Sequence, residues 1–171
     1  MGAKKILFVD DEKQFAQMVK LNLEKTGQYV VRTEYKGSAC LTAAREFSPD
    51  LIVLDLLMPD MSGAEAAGNL KKDERFKNIP VLFLTALAKK GDRQVQAETL
   101  DGRPFRAQPV IAKPVNTQDL VASMESTLEK RKRFLQAPAC EACGEKISCV
   151  NDASLKDGRL LHIDPSDCRT V

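Results

Sequence analysis

Long apolar runs are missing from this 171-residue chain. None approaches the roughly 20 residues that a membrane-spanning helix needs, so no membrane association is expected. The first apolar run, Ile6–Val9, is too short for a signal peptide and ends in acid at Asp10. Gly2 does not open a myristoylation signal, because position 6 holds Ile6 where serine or threonine is required. These absences predict a cytoplasmic protein. Net charge is also small, +2 overall, and demands no polyanionic partner. Internal repeats and low-complexity linkers are lacking. Cysteine is scarce up to residue 136, where Cys40 stands alone, and histidine occurs once, as His162. The remaining cysteines, Cys140, Cys143, Cys149 and Cys168, crowd into the tail with that histidine. In a reducing compartment such clustering points to metal rather than to disulfides.

What is present alternates. Lys5–Val9 reads as a strand ending at Asp10-Asp11, and Phe15, Val19 and Leu23, with Met18 beside them, recur at helical spacing until Gly27. Tyr29-Val30-Val31 is a second strand. Cys40, Ala43, Ala44 and Phe47 then share one helix face, which makes Cys40 a packed core thiol. Leu51-Ile52-Val53-Leu54 has the continuous apolar character of a strand buried on both faces, and it closes with Asp55. Ser62-Gly63 opens a helix with Ala66, Ala67 and Leu70 inward. Pro80–Leu84 is a fourth strand ending at Thr85, and a weakly patterned helix is expected between Lys89 and Leu100. Val110-Ile111-Ala112 is a fifth strand, followed by Lys113-Pro114. The last helix starts at Asn116 as N-cap with Asp119 near N3, carries Leu120, Val121, Met124 and Leu128 inward, and ends in Lys130-Arg131-Lys132-Arg133. Five βα repeats in about 130 residues predict a parallel sheet with helices on both faces.

In a parallel sheet all carboxyl ends of the strands lie at one edge, where ligands bind. Asp10, Asp11, Asp55, Thr85 and Lys113 are therefore expected to converge. Three packed carboxylates repel, and a hard divalent cation such as Mg²⁺ is their natural counter-charge. An aspartate can also act as nucleophile toward phosphorus, with Lys113 and the Thr85 hydroxyl meeting charge on the transferred oxygens.

With these residues in hand, the segment 1–136 resembles the receiver domain of two-component response regulators. The resemblance is carried by Ile6-Leu7-Phe8-Val9-Asp10-Asp11-Glu12, Asp55-Leu56-Leu57-Met58-Pro59-Asp60-Met61-Ser62-Gly63, Thr85-Ala86 and Lys113-Pro114, in that order. It implies a flavodoxin-like, doubly wound sheet of five strands in the order 2-1-3-4-5. It also implies that Asp55 accepts phosphate from a sensor histidine kinase or a phosphotransfer protein. Mg²⁺ would be held by Asp11 directly, by Asp10 mainly through water, by Asp55 and by the Leu57 carbonyl. Thr85 and Lys113 would each contact a phosphoryl oxygen, and the bond before Pro114 would be cis. Many receivers dimerise through the face of the fourth helix, fifth strand and fifth helix, so a homodimer is among the assemblies the resemblance admits.

Departures from the family pattern matter here. Receivers usually carry Tyr or Phe three residues before the lysine, and this chain has Val110. The Thr85–Lys113 segment is longer than usual and contains Phe105. Leu57 and Leu87, two past Asp55 and two past Thr85, cannot orient a hydrolytic water, which implies slow loss of phosphate.

Residues 137–171 form a separate unit in this reading. It carries a charge of about −2 against about +4 for the rest. Cys140-Glu141-Ala142-Cys143-Gly144 has the spacing of a metal knuckle, followed by His162 and Cys168; Cys149 competes with His162 as a ligand. Four such ligands suit a structural Zn²⁺, in an arrangement that resembles a treble-clef or LIM-like half-finger. Ile147–Val150 and Gly158–Ile163 are expected as hairpin arms, with a helical turn from Pro165. So short and apolar-poor a segment needs a staple to fold.

The expectation is thus a phospho-accepting switch, not an enzyme, whose zinc module serves as an adaptor for a downstream protein. Nucleic acid is not an expected partner, since the module is acidic. The alternatives are a DNA-binding regulator that uses the basic helix end and finger, or a receiver-like scaffold that is not phosphorylated. An aspartyl phosphatase of the haloacid dehalogenase type would need Asp where Leu57 stands. A flavin carrier would need a glycine- and hydroxyl-rich loop in place of Asp10-Asp11-Glu12.

Overall fold

The computed structural model describes residues 2–86, 94–95, 108–136, 153–156 and 159–162. Its elements in chain order are β1 (Lys4–Val9), α1 (Lys13–Glu24), β2 (Tyr29–Glu34), a 3₁₀ turn (Gly37–Ala39), α2 (Cys40–Phe47), β3 (Leu51–Asp55), α3 (Gly63–Lys72), β4 (Val81–Thr85), β5 (Gln94–Val95), β6 (Gln108–Ala112), α4 (Thr117–Gln136), β7 (Ala153–Lys156) and β8 (Arg159–His162). The chain divides into two compact units, Met1–Leu128 and Glu129–Val171. Among the described residues no helix is long and apolar enough to cross a membrane.

In the first unit the strands run in the order β2-β1-β3-β4-β6-β5. Five of them, β2, β1, β3, β4 and β6, are mutually parallel. This is the expected doubly wound order 2-1-3-4-5. Apolar residues fill both faces because successive side chains on a strand point to opposite sides. Leu7, Val9, Ile52, Leu54, Val81, Phe83 and Val110 pack with Cys40, Ala43, Ala44, Ala66, Ala67 and Leu70 of α2 and α3. Ile6, Phe8, Leu51, Val53, Leu82 and Leu84 pack on the other face with Val19 and Leu23 of α1 and Leu120 and Met124 of α4.

Helix starts follow their capping residues. The Ser62 hydroxyl accepts from the Glu65 amide at 3.2 Å at the head of α3. At α4 the Asn116 side chain accepts from the Asp119 amide at 2.8 Å and donates to the Asp119 carboxylate at 2.9 Å. The expected capping pair is thus present.

Three expectations need correction. Met18, grouped with the apolar positions of α1, is 49% exposed; Ala16 is buried instead, because 16, 19 and 23 share one helix face and 18 lies off it. Gln94 and Val95, expected in a helix, form β5, which pairs antiparallel with β6 through Gln94↔Pro109 and Val95↔Gln108. The rest of Lys89–Leu100 lies outside the described residues, as do Leu87 and Phe105. In the second unit β7 and β8 pair antiparallel from Ala153↔His162 to Lys156↔Arg159. The later hairpin arm falls where expected. Its partner is Ala153–Lys156, while Ile147–Val150 and the segment from Pro165 lie outside the described residues.

Candidate functional site

Each strand of the parallel sheet that ends in a polar residue delivers it to the same edge. Asp10 follows β1, is fully buried, and its amide donates to the Glu34 carbonyl at 3.1 Å. Asp55 closes β3 and Thr85 closes β4, both buried. Lys113 follows β6, with its amide donating to the Thr85 carbonyl at 2.8 Å and a cis bond to Pro114. Asp11, less buried, completes the rim.

Lys113 is the electrostatic hub. Its ammonium lies 2.8 Å from Asp10 Oδ2, 2.8 Å from Asp55 Oδ2 and 3.0 Å from Glu12 Oε1. The Phe15 ring sits 4.9 Å away on a further side. Burial alone would pull the Lys113 pKa down, but the neighbouring carboxylates of Asp10, Asp55 and Glu12 outweigh burial and hold it above the ordinary lysine value. Burial pushes the Asp10 carboxyl up, and contact with Lys113 only partly offsets that. Glu12 was not anticipated as a partner of the lysine. Its place beside Asp10 and Asp11 is the one signal the sequence holds for it.

The donor set fits a hard cation. Asp10, Asp11 and Asp55 each offer a carboxylate oxygen, and these lie within 4.8 Å of one another. Asp10 Oδ2 is buried and paired by charge with Lys113, yet it receives no aligned hydrogen bond. A lone pair held in that state is available to a metal. Oxygen-only ligands in this number suit Mg²⁺, which fills the remainder of its shell with water.

The loop between β3 and α3 frames the site. The Leu57 amide donates to Asp55 Oδ1 at 3.2 Å, and the Leu57 side chain is 51% exposed. The Gly63 amide donates to the Leu56 carbonyl at 3.1 Å. A Cβ at Gly63 would lie 2.1 Å from the Asp55 carbonyl oxygen, so glycine is required for this approach. Val110, three residues before Lys113, is buried on the α2–α3 face. Of the tail ligands expected for zinc, His162 ends β8, and Cys140, Cys143, Cys149 and Cys168 lie outside the described residues.

Comparison with known proteins gives a concordant picture. A family model described as response regulator receiver domain matches residues 6–125. The chain is 34% identical over 133 residues to the DNA-binding dual master transcriptional regulator RpaA of Synechocystis, across 78% of this chain and 52% of that protein. It is 30% identical over 164 residues to the transcriptional regulatory protein KdpE of Mycobacterium tuberculosis, across 95% of this chain and 68% of that one. Among solved structures it resembles the chemotaxis protein CheY4 of Vibrio cholerae, with a TM-score of 0.60 and 26% identity over 74% of this chain and 99% of that one. The chain spans about half the length of RpaA.

Proposed function

We propose that Asp55 takes up a phosphoryl group, and the premise is family membership: over residues 6–125 this chain belongs to the response regulator receiver domains. The observation that carries the reading is Asp55 Oδ2 held 2.8 Å from Lys113 beside Asp10 and Asp11. The phosphodonor is a phosphohistidine on a sensor kinase or phosphotransfer protein. An Asp55 oxygen attacks phosphorus as the P–N bond breaks. The departing imidazole keeps the electron pair and takes up a proton from water, and an acyl phosphate is left on Asp55. Lys113 and the Thr85 hydroxyl donate to phosphoryl oxygens as their charge grows. Asp10, Asp11, Asp55 and the Leu57 carbonyl would hold Mg²⁺, which when bound would supply positive charge to those oxygens. In this reading the protein is a switch and not an enzyme, working in the cytoplasm.

Acetyl phosphate with Mg²⁺ should label the wild-type chain, and Asp55→Asn should abolish the label. Undiminished labelling of the variant would sink the assignment.

Residues 1–136 act as the receiver and 137–171 as a module stapled by Zn²⁺. Its ligands are Cys140, Cys143, His162 and Cys168, with Cys149 the alternative to His162. The spacing of these residues supports that reading, as does the placement of His162 at the end of a hairpin strand. The module's output is contact with a downstream protein. RpaA is named a DNA-binding transcriptional regulator and KdpE a transcriptional regulatory protein, which favours DNA binding as a second output here. They lend no support to the expectation that nucleic acid is not a partner. Salt-dependent binding of duplex DNA that changes on labelling would select this second output.

A further inference from the structure

The loop from Leu56 to Ser62 is closed at its base by the Gly63 amide on the Leu56 carbonyl. Its far end is tied to a different part of the chain. Asp60 Oδ1 accepts from the Gly37 amide at 3.1 Å, and Oδ2 accepts from the Ser38 amide at 3.0 Å and the Ser38 hydroxyl at 2.7 Å. One carboxylate thereby satisfies two consecutive amides at the start of the 3₁₀ turn that leads into α2. These bonds, those from Ser38 foremost, draw the Asp60 carboxyl down to about 2. The two segments also touch closely. A Cβ at Gly37 would meet the Met61 carbonyl oxygen at 2.5 Å and Met58 Cε at 3.0 Å.

Between these two fastenings lies Leu57, whose amide already bonds the Asp55 carboxylate. A short loop held at its base and near its end has little freedom left, and the Leu57 carbonyl shares that restriction. We propose that Asp60 is a positioning residue for the divalent cation: by clamping this loop onto the Gly37–Ser38 turn, it fixes the Leu57 carbonyl as a ligand. This rests on the phosphoacceptor reading and deepens it. Asp60 does not touch the cation or the reacting atoms. Its role matches that of the outer groups that orient metal ligands, whose loss weakens affinity without removing a ligand.

The test is Mg²⁺ titration by calorimetry on the full chain, with thermal unfolding and acetyl phosphate labelling in parallel. Asp11→Asn supplies the baseline that ties the heat to the pocket. Asp60→Ala should weaken Mg²⁺ binding by about tenfold, and Ser38→Ala, which removes one bond of three, by less. Labelling of Asp60→Ala should recover at saturating Mg²⁺. Asp73→Ala is the control for a purely structural effect, because Asp73 pairs with Arg45 and Arg75 on another part of the surface. It should shift the melting temperature and leave Mg²⁺ affinity unchanged. Wild-type affinity in a folded Asp60→Ala would overturn the proposal, as would equal losses of affinity in Asp60→Ala and Asp73→Ala. Absence of Mg²⁺ binding in the wild type would instead overturn the cation reading from which the proposal starts.

Discussion

Gly63 shows how tightly single atoms constrain this site. Because its Cβ would lie 2.1 Å from the Asp55 carbonyl oxygen, any side chain must push the end of β3 away from α3. Gly63→Ala should therefore destabilise the fold by about 1–3 kcal/mol and slow Asp55 labelling, as read by urea unfolding and acetyl phosphate. A variant with wild-type midpoint and rate would mean that the loop yields at no energetic loss. Other single residues were easier to foresee. Asp10, Asp55, Thr85 and Lys113 each stand at the end of an apolar run, so a linear reading could place them at one edge. Cys40 lay on an apolar stripe and is buried, its thiol pushed up to about 12 by desolvation. The partners of Asp60 and Glu12 were illegible for a physical reason. They bond across 22 to 23 and 101 positions of chain, and no local pattern records such a meeting.

Among the elements, α4 is fastened to the amino ends of two strands through one carboxylate. Glu125 accepts from the Tyr29 hydroxyl of β2 and pairs with Lys4 of β1. Burial raises the Glu125 pKa, but Lys4 and Tyr29 together outweigh it and leave it below its ordinary 4.5. A carboxylate depressed in the folded state contributes stability that is complete above its unfolded pKa. That contribution is lost as pH falls through the folded one. Glu125→Gln should thus lower the urea midpoint at neutral pH and flatten the wild-type decline below about pH 4.5. The Glu125 side chain is 34% exposed, so the effect should be about 1 kcal/mol or less. Parallel midpoint-versus-pH curves for the two proteins would contradict this. The N-cap of α4 could be read from Asn116 and Asp119 because capping is local. β5 could not: a strand of two residues has no periodicity, and it exists only through its pairing with β6. The hairpin of the second unit was foreseen in its later arm alone.

For the whole molecule, the shift in charge and cysteine content near residue 137 pointed to a boundary there. The chain divides into its compact units at Leu128–Glu129, within the span of α4. A helix that carries the chain from one unit to the next offers no break in composition to mark the crossing. Asp10, Asp11, Asp55, Thr85 and Lys113 all belong to Met1–Leu128. Protein purified without chelator should hold about one Zn²⁺ per chain, the stoichiometry of a four-ligand structural site. Stripping the zinc and restoring Mg²⁺ should leave Asp55 labelling intact. Metal analysis that finds no zinc would remove the module from the proposal while leaving the receiver untouched.

The surroundings of Lys113 carry one more consequence. An ammonium has three protons, and here three carboxylates already crowd it within 3.0 Å. In the proposed reaction a phosphoryl oxygen would therefore compete for the lysine with carboxylates already close to it. Asp10 and Asp55 are walled in, whereas the Glu12 side chain is 64% exposed and makes the longest of the three contacts. Glu12 is the contact best placed to give way, so in the proposed reaction charge arriving on Asp55 would free a glutamate at the surface.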